Sequence, residues 1–191
     1  MRIAILALQG AFLEHEQMLQ RLGTETFLIR NLEDWNQEKD GLVIPGGEST
    51  AILRIMKDEG LLNVICEAVS EGLPVLGTCA GMIVLARRVE DEEHTRLSTM
   101  DITVRRNAYG RQLGSFYTEQ NFKGIGVVPM TFIRAPYITE VGENVEVLAV
   151  VDGHIVAARQ DCQLVLSFHP ELNENLRIHQ YFLSMCEETI R

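Results

Sequence analysis

The chain has 191 residues, 46% of them hydrophobic, which is enough to bury a sizeable core in one domain with at most a small elaboration. Its 27 acidic against 17 basic residues leave a net charge of −10, and an acidic chain without a basic stripe excludes nucleic acid as a partner. No run of about 18 apolar residues occurs, and Met1-Arg2-Ile3 leads straight into a strand, so neither a membrane span nor a signal peptide is expected.

Residues 2–8 read as an apolar strand. Residues 12–22 follow as a helix, with Phe12, Leu13, Met18, Leu19 and Leu22 on one side and Gly23 closing it. Residues 24–29 and 41–45 are further strands. Gly46-Gly47 then leads into a helix over 49–57, and a second helix covers 61–70 and stops at Gly72. Val75 and Leu76 form a strand, and residues 82–86 continue as an apolar helix. Uniformly apolar strands that alternate with helices predict a mostly parallel central sheet flanked by helices on both faces, an α/β fold. After Arg88 the texture changes. Residues 99–105, 115–119 and 131–134 alternate, and 145–151 joins 154–159 through Asp152-Gly153, a strong hairpin signal. These predict an antiparallel β elaboration packed at the sheet edge. Residues 163–168 return to the main sheet, and 173–190 form a closing helix with Ile178, Phe182 and Met185 inside. With no repeat or linker, residues 1–191 are expected to form a single domain. The acidic runs 90–93 and 187–188 read as solvated surface.

Two motifs carry chemistry. Gly77-Thr78-Cys79-Ala80-Gly81 sits between a strand and an apolar helix. This is the thiol form of the strand–turn–helix nucleophile elbow, where glycines leave room for a tight turn. The turn sets Cys79 at a helix N-terminus, where amides and the helix dipole favour a thiolate. Residues 164–171 read as a strand ending in His169-Pro170-Glu171, held extended by Pro170. Alternate residues of an extended chain point the same way, so His169 and Glu171 are expected at one site. A histidine base oriented by a carboxylate is what a cysteine nucleophile needs. The other cysteines, Cys66, Cys162 and Cys186, show no C-x-x-C spacing. That argues against zinc and against a disulfide framework, and it suits a reducing, cytoplasmic setting. His15, His94, His154 and His179 read as surface residues or as groups behind the site, and His179 is left without a role.

Gly46-Gly47-Glu48-Ser49-Thr50, the Cys79 elbow and Phe168-His169-Pro170-Glu171 resemble, in sequence and in order, the three blocks of a class I (triad) glutamine amidotransferase. The stretches 7–15 (Ala-Leu-Gln9-Gly10-Ala-Phe-Leu-Glu-His15), 105–112 (Arg-Arg106-Asn-Ala-Tyr109-Gly-Arg-Gln) and 132–136 (Phe-Ile133-Arg134-Ala-Pro) narrow the resemblance to the glutaminase subunits of pyridoxal 5′-phosphate synthases. It covers essentially the whole chain. Tyr109, where Phe is frequent, and Met82, where Leu is usual, depart from the pattern without touching a role.

The resemblance implies a flavodoxin-like, amidotransferase-type fold and hydrolysis of L-glutamine to glutamate and ammonia. Cys79 is the implied nucleophile, His169 the base and Glu171 its orienting carboxylate. Gly47, Glu48, Ser49, Arg106, Ile133 and Arg134 are implied to contact glutamine, and a helix N-terminus after Gly47 suits its α-carboxylate. Oxyanion donors are expected from Ala80, which follows the nucleophile, and from Gly10 or the Gly46-Gly47 loop. No cofactor and no metal are called for. The implied partner is the barrel-shaped synthase subunit, in a hetero-oligomeric complex, which combines the ammonia with ribose 5-phosphate and glyceraldehyde 3-phosphate. This chain has no phosphate loop of the G-x-x-x-x-G-K-S/T kind, so that sugar chemistry is expected in the partner. Weak hydrolysis alone and activation on docking are expected. The proposed switch is a Gln9–Gly10 peptide that turns its N–H into the site; on this view Gly10→Val blunts activation more than glutamine binding. A glutaminase serving imidazole glycerol phosphate or anthranilate synthesis, a non-catalytic chaperone-like relative, and a cysteine hydrolase of esters or peptides share parts of the same pattern.

Overall fold

Apolar runs punctuated by glycine build most of the elements in the computed structural model, which describes residues 1–106 and 114–190. In chain order they are β1 (Arg2–Leu6), α1 (Phe12–Arg21), β2 (Glu25–Ile29), α2 (Leu32–Trp35), β3 (Gly41–Ile44), α3 (Ser49–Asp58) and α4 (Leu61–Ser70). Then come β4 (Val75–Thr78), α5 (Ala80–Leu85), β5 (Ala86–Val89), β6 (Met100–Arg105), β7 (Ser115–Phe122) and β8 (Gly126–Ile133). The chain closes with β9 (Tyr137–Val141), β10 (Glu146–Val151), β11 (His154–Gln160), β12 (Gln163–Leu166) and α6 (Arg177–Ile190).

The main sheet runs β2-β1-β3-β4-β12-β11-β9-β6-β5. Its first five strands are parallel, joined in register by pairs such as Ala4↔Phe27, Val43↔Leu76 and Leu76↔Leu164. That succession is the flavodoxin-like order. Successive side chains of a strand point to opposite faces, and β1 divides its residues accordingly. Ala4 and Leu6 join one core with Ile52 and Met56 of α3 and Ile65 and Val69 of α4. Ile3 and Ile5 join the other, with Leu19 of α1 and Ile178, Phe182 and Met185 of α6. Helices therefore cover both faces.

Beyond β12 the sheet continues antiparallel through β11, β9 and β6, and β10 pairs β11 through Val151↔His154. Asp152 and Gly153 both take positive φ, 50° and 79°, the backbone of a two-residue hairpin turn.

The structure corrects several expectations. β7 and β8 form their own two-stranded sheet rather than extending the sheet edge. Phe122, Val128, Met130 and Phe132 are buried in the same core as Phe168 and the inner face of α6, and that apolar face draws the hairpin onto the sheet. Ala86 leaves the helix for β5, with φ −60° and ψ 137°. The strand after Gln163 ends at Leu166, and Pro170–Leu172 is a 3₁₀ turn rather than extended chain. Proline's fixed φ suits the first position of such a turn. α2 and β9 carry too little periodic signal to be foreseen. Most of the 105–112 motif, from Asn107 to Gln112, lies outside the described residues.

Candidate active site

Four loops meet beyond the carboxyl ends of β1, β3, β4 and β12, the edge where open α/β sheets bind ligands. They line a cavity of about 630 Å³. Gly10, Gly47, Glu48, Ser49, Cys79, Ala80, Arg106, Ile133, Arg134 and His169 all face it, together with Gln9 and Leu172. Glu171 lies behind His169, buried.

The elbow is built by close backbone approach. A Cβ on Gly81 would lie 2.1 Å from Ile44 O, and one on Gly77 would lie 2.8 Å from the Gly81 carbonyl carbon. Only glycine lets α5 seat this tightly on β3 and β4. The turn places Cys79 at φ 49° and ψ −100°, a conformation unusual for a residue with a side chain. Its N–H continues the strand ladder to Leu166 O at 2.7 Å. Ala80 opens α5, so its amide is one of the first-turn donors that have no intrahelical acceptor. The Cys79 sulfur lies 3.9 Å from Ile133 O, and the His169 imidazole faces the same cavity. A Cβ on Gly46 would meet His169 Cε1 at 2.4 Å and Cys79 Cβ at 3.3 Å. The glycine loop thus leaves the space in which cysteine and histidine meet.

His169 Nδ1 lies 2.7 Å from Glu171 Oε1. The 3₁₀ turn folds the carboxylate back under the ring, so the pair forms by a different backbone route from the extended one expected. Burial opposes charge on His169, but the hydrogen bonds and charges of Cys79 and Glu171 outweigh it and push the imidazole up to about 10. Burial alone would raise the Glu171 carboxyl; the histidines beside it more than offset this and hold it below the usual carboxylate range.

The glycine loop is braced from both sides. Gln9 Oε1 accepts from Glu48 N at 2.6 Å. The Glu48 carboxylate caps α3, accepting from Thr50 N at 3.0 Å and Ala51 N at 2.7 Å. Burial opposes its charge, but these amides and Arg106 together outweigh it and hold its carboxyl below the usual range. Arg106 Nη2 lies 3.2 Å from Glu48 Oε1, while Nη1 bonds Glu92. Arg134 sits at φ 44° with its N–H on Gly114 O.

Sequence reasoning missed one group and left two histidines open. Glu92, within an acidic run read as solvated surface, anchors Arg106. His15 and His179, expected either at the surface or behind the site, are fully buried behind it. His15 falls inside the first motif, which was the available signal; His179 carried none.

The family model described as the SNO glutamine amidotransferase family matches residues 5–188. A protein of Streptococcus pneumoniae serotype 2, pyridoxal 5′-phosphate synthase subunit PdxT, is 54% identical, with the match spanning 98% of this chain and 99% of that one. A crystal structure of a glutamine amidotransferase superposes with a TM-score of 0.93 at 42% identity, over 97% of this chain and 98% of that one. A glutamine amidotransferase from Thermotoga maritima shares the fold, with a TM-score of 0.61 at 15% identity over 100% of this chain and 86% of that one. The family match over nearly the whole chain and the close relatives agree with the geometry at the cavity: this chain belongs to the SNO glutamine amidotransferase family.

Proposed function

We propose that this chain hydrolyses L-glutamine to glutamate and ammonia and supplies the ammonia to the synthase subunit of a pyridoxal 5′-phosphate synthase. The observation that carries the reading is the buried Cys79–His169–Glu171 line opening onto the cavity under the glycine loop. Cys79 Sγ, its proton already passed to His169, attacks the side-chain carboxamide carbon. Its raised affinity lets His169 hold that proton, and Glu171 on Nδ1 keeps Nε2 turned to the sulfur. The tetrahedral oxyanion is met by the Ala80 amide and by one from Gly10. His169 then protonates the leaving nitrogen, the C–N bond breaks, and ammonia departs from a glutamyl thioester. Water, deprotonated by His169, adds to the thioester; a second oxyanion collapses, releasing glutamate and restoring the thiol. Gly47, Glu48 and Ser49 at the start of α3, with Arg106, Ile133 and Arg134 across the cavity, hold the amino-acid end of the substrate.

The partner is a barrel-shaped subunit that joins the ammonia to ribose 5-phosphate and glyceraldehyde 3-phosphate, in the cytoplasm. Assaying ammonia release and pyridoxal 5′-phosphate formation, with glutamine and the synthase subunit, tests the reading. Both products are expected, both lost in Cys79→Ala, and cofactor synthesis alone restored by ammonium salts. Activation by a different synthase instead would assign the ammonia elsewhere.

A further inference from the structure

Behind His169 runs a line of buried polar groups that hydrolysis as written above does not use. Glu171 offers Oε1 to His169. Its other oxygen, Oε2, has no aligned hydrogen bond among the described residues, and His15 Nε2 lies 3.3 Å from it. His15 comes from α1. Its Nε2 is also 3.1 Å from Thr78 Oγ1, next to the nucleophile, and its Nδ1 is 3.0 Å from His179 Nε2 of α6. His179 Nδ1 is buried without a partner among the described residues.

These contacts decide where the ring protons sit. Burial keeps both rings neutral, and it pushes His179 down to about 3, so each ring carries one proton. Suppose His15 held its proton on Nδ1. Its Nε2 lone pair would then face a carboxylate oxygen. His179 would have to keep its own proton on the unpartnered Nδ1, and a buried donor left unpaired is costly. With both protons on Nε2, His179 donates to His15 Nδ1, and His15 turns its N–H toward Glu171 Oε2 and Thr78 Oγ1. Only an acceptor then stays unpaired.

We propose that His15, set as its Nε2–H tautomer by His179, is a positioning residue for glutamine hydrolysis: it steadies the far oxygen of Glu171 so that the near one stays on His169. This rests on the triad reading above. A carboxylate turns easily about its terminal bond, and a rotation that takes Oε1 off Nδ1 frees the His169 ring.

The test uses the full chain with its synthase subunit. His15→Leu is expected to lower kcat about 10- to 100-fold, the range seen when the partner orienting a working side chain is removed, with KM nearly unchanged. His15→Gln, whose amide nitrogen reaches the place of the ring Nε2, is expected to recover most of kcat. A purely structural role would move the two variants alike. A His15→Leu enzyme as fast as the wild type, or a His15→Gln enzyme no faster than His15→Leu, would overturn the proposal. ¹⁵N NMR of the unmodified protein decides independently of whether the variants fold. Neutral His15 protonated on Nε2 supports the proposal, and Nδ1–H or a charged ring at neutral pH overturns it. Hydrolysis that survives Cys79→Ala sinks the triad reading itself, whereas hydrolysis lost there but intact in His15→Leu sinks only the positioning role.

Discussion

A Cβ placed on Gly10 would lie 1.7 Å from the backbone oxygen of Gly46. The loops after β1 and β3 therefore touch backbone to backbone, and Ala11 N donates to that same oxygen at 3.0 Å. With Gly10 at φ 97°, any side chain there both strains its own backbone and displaces the glycine loop.

Gly10→Val is accordingly predicted to impair glutamine binding as well as activation by the synthase, a broader effect than the sequence suggests. The unfavourable φ alone costs about 1–3 kcal/mol, and the overlap with Gly46 adds to it. Thermal unfolding and glutamine titration check this. A variant that melts like the wild type and binds glutamine normally would show that the two loops are not coupled.

Cys79→Ala is predicted to keep the fold and lose hydrolysis by about 10⁴-fold or more. The elbow depends on Gly77, Gly81 and the Cys79 N–H, none of which the change touches. His169→Asn should be nearly as damaging. Glu171→Gln should be milder, because it removes orientation and charge rather than the base. Ammonia release from each purified variant is the measurement.

Stability should peak near the ordinary histidine pKa and fall on both sides. His169 is raised to about 10, so the folded chain keeps a proton that the unfolded chain releases near 6.5. Its contribution is complete below about 6.5 and is lost as pH rises toward 10. His15 and His179 act oppositely: their pKa values are lowered, so the unfolded rings take up protons near 6.5 while the folded ones resist. Stability then falls as pH drops below 6.5. Denaturant titrations across pH should show the alkaline limb flattened in His169→Asn and the acid limb flattened in His179→Leu.

Glu48 and Arg106 should separate by what each loses. Glu48 both caps α3 and pairs with Arg106. Glu48→Ala should raise KM for glutamine and also cost about 1 kcal/mol of stability, as lost helix caps do. Arg106→Ala should raise KM with little change in melting temperature. Equal stability losses in the two variants would remove the capping account.

What the residues determine by themselves is local. α4 spans Leu61–Ser70 as the sequence predicts, stopped by Gly72. The Asp152-Gly153 turn and the glycines around Cys79 are equally legible, because each records a backbone constraint met within a few residues. The amidotransferase blocks are legible for the same reason: each is a short loop at a strand end. Tertiary structure decided what depends on contacts between distant segments. Phe122 packs on Tyr181 of α6 and Phe132 on Phe168 beyond β12, so the β7–β8 hairpin leaves the main sheet. Pro170 turns the chain instead of extending it, and the His169–Glu171 pair survives because the turn folds the carboxylate back. His15 and His179 lie 164 positions apart, and they meet only because α1 and α6 pack on the same face of the sheet. No local pattern encodes that meeting, since burial, and with it the charge state of each ring, is set by what the rest of the chain packs around it.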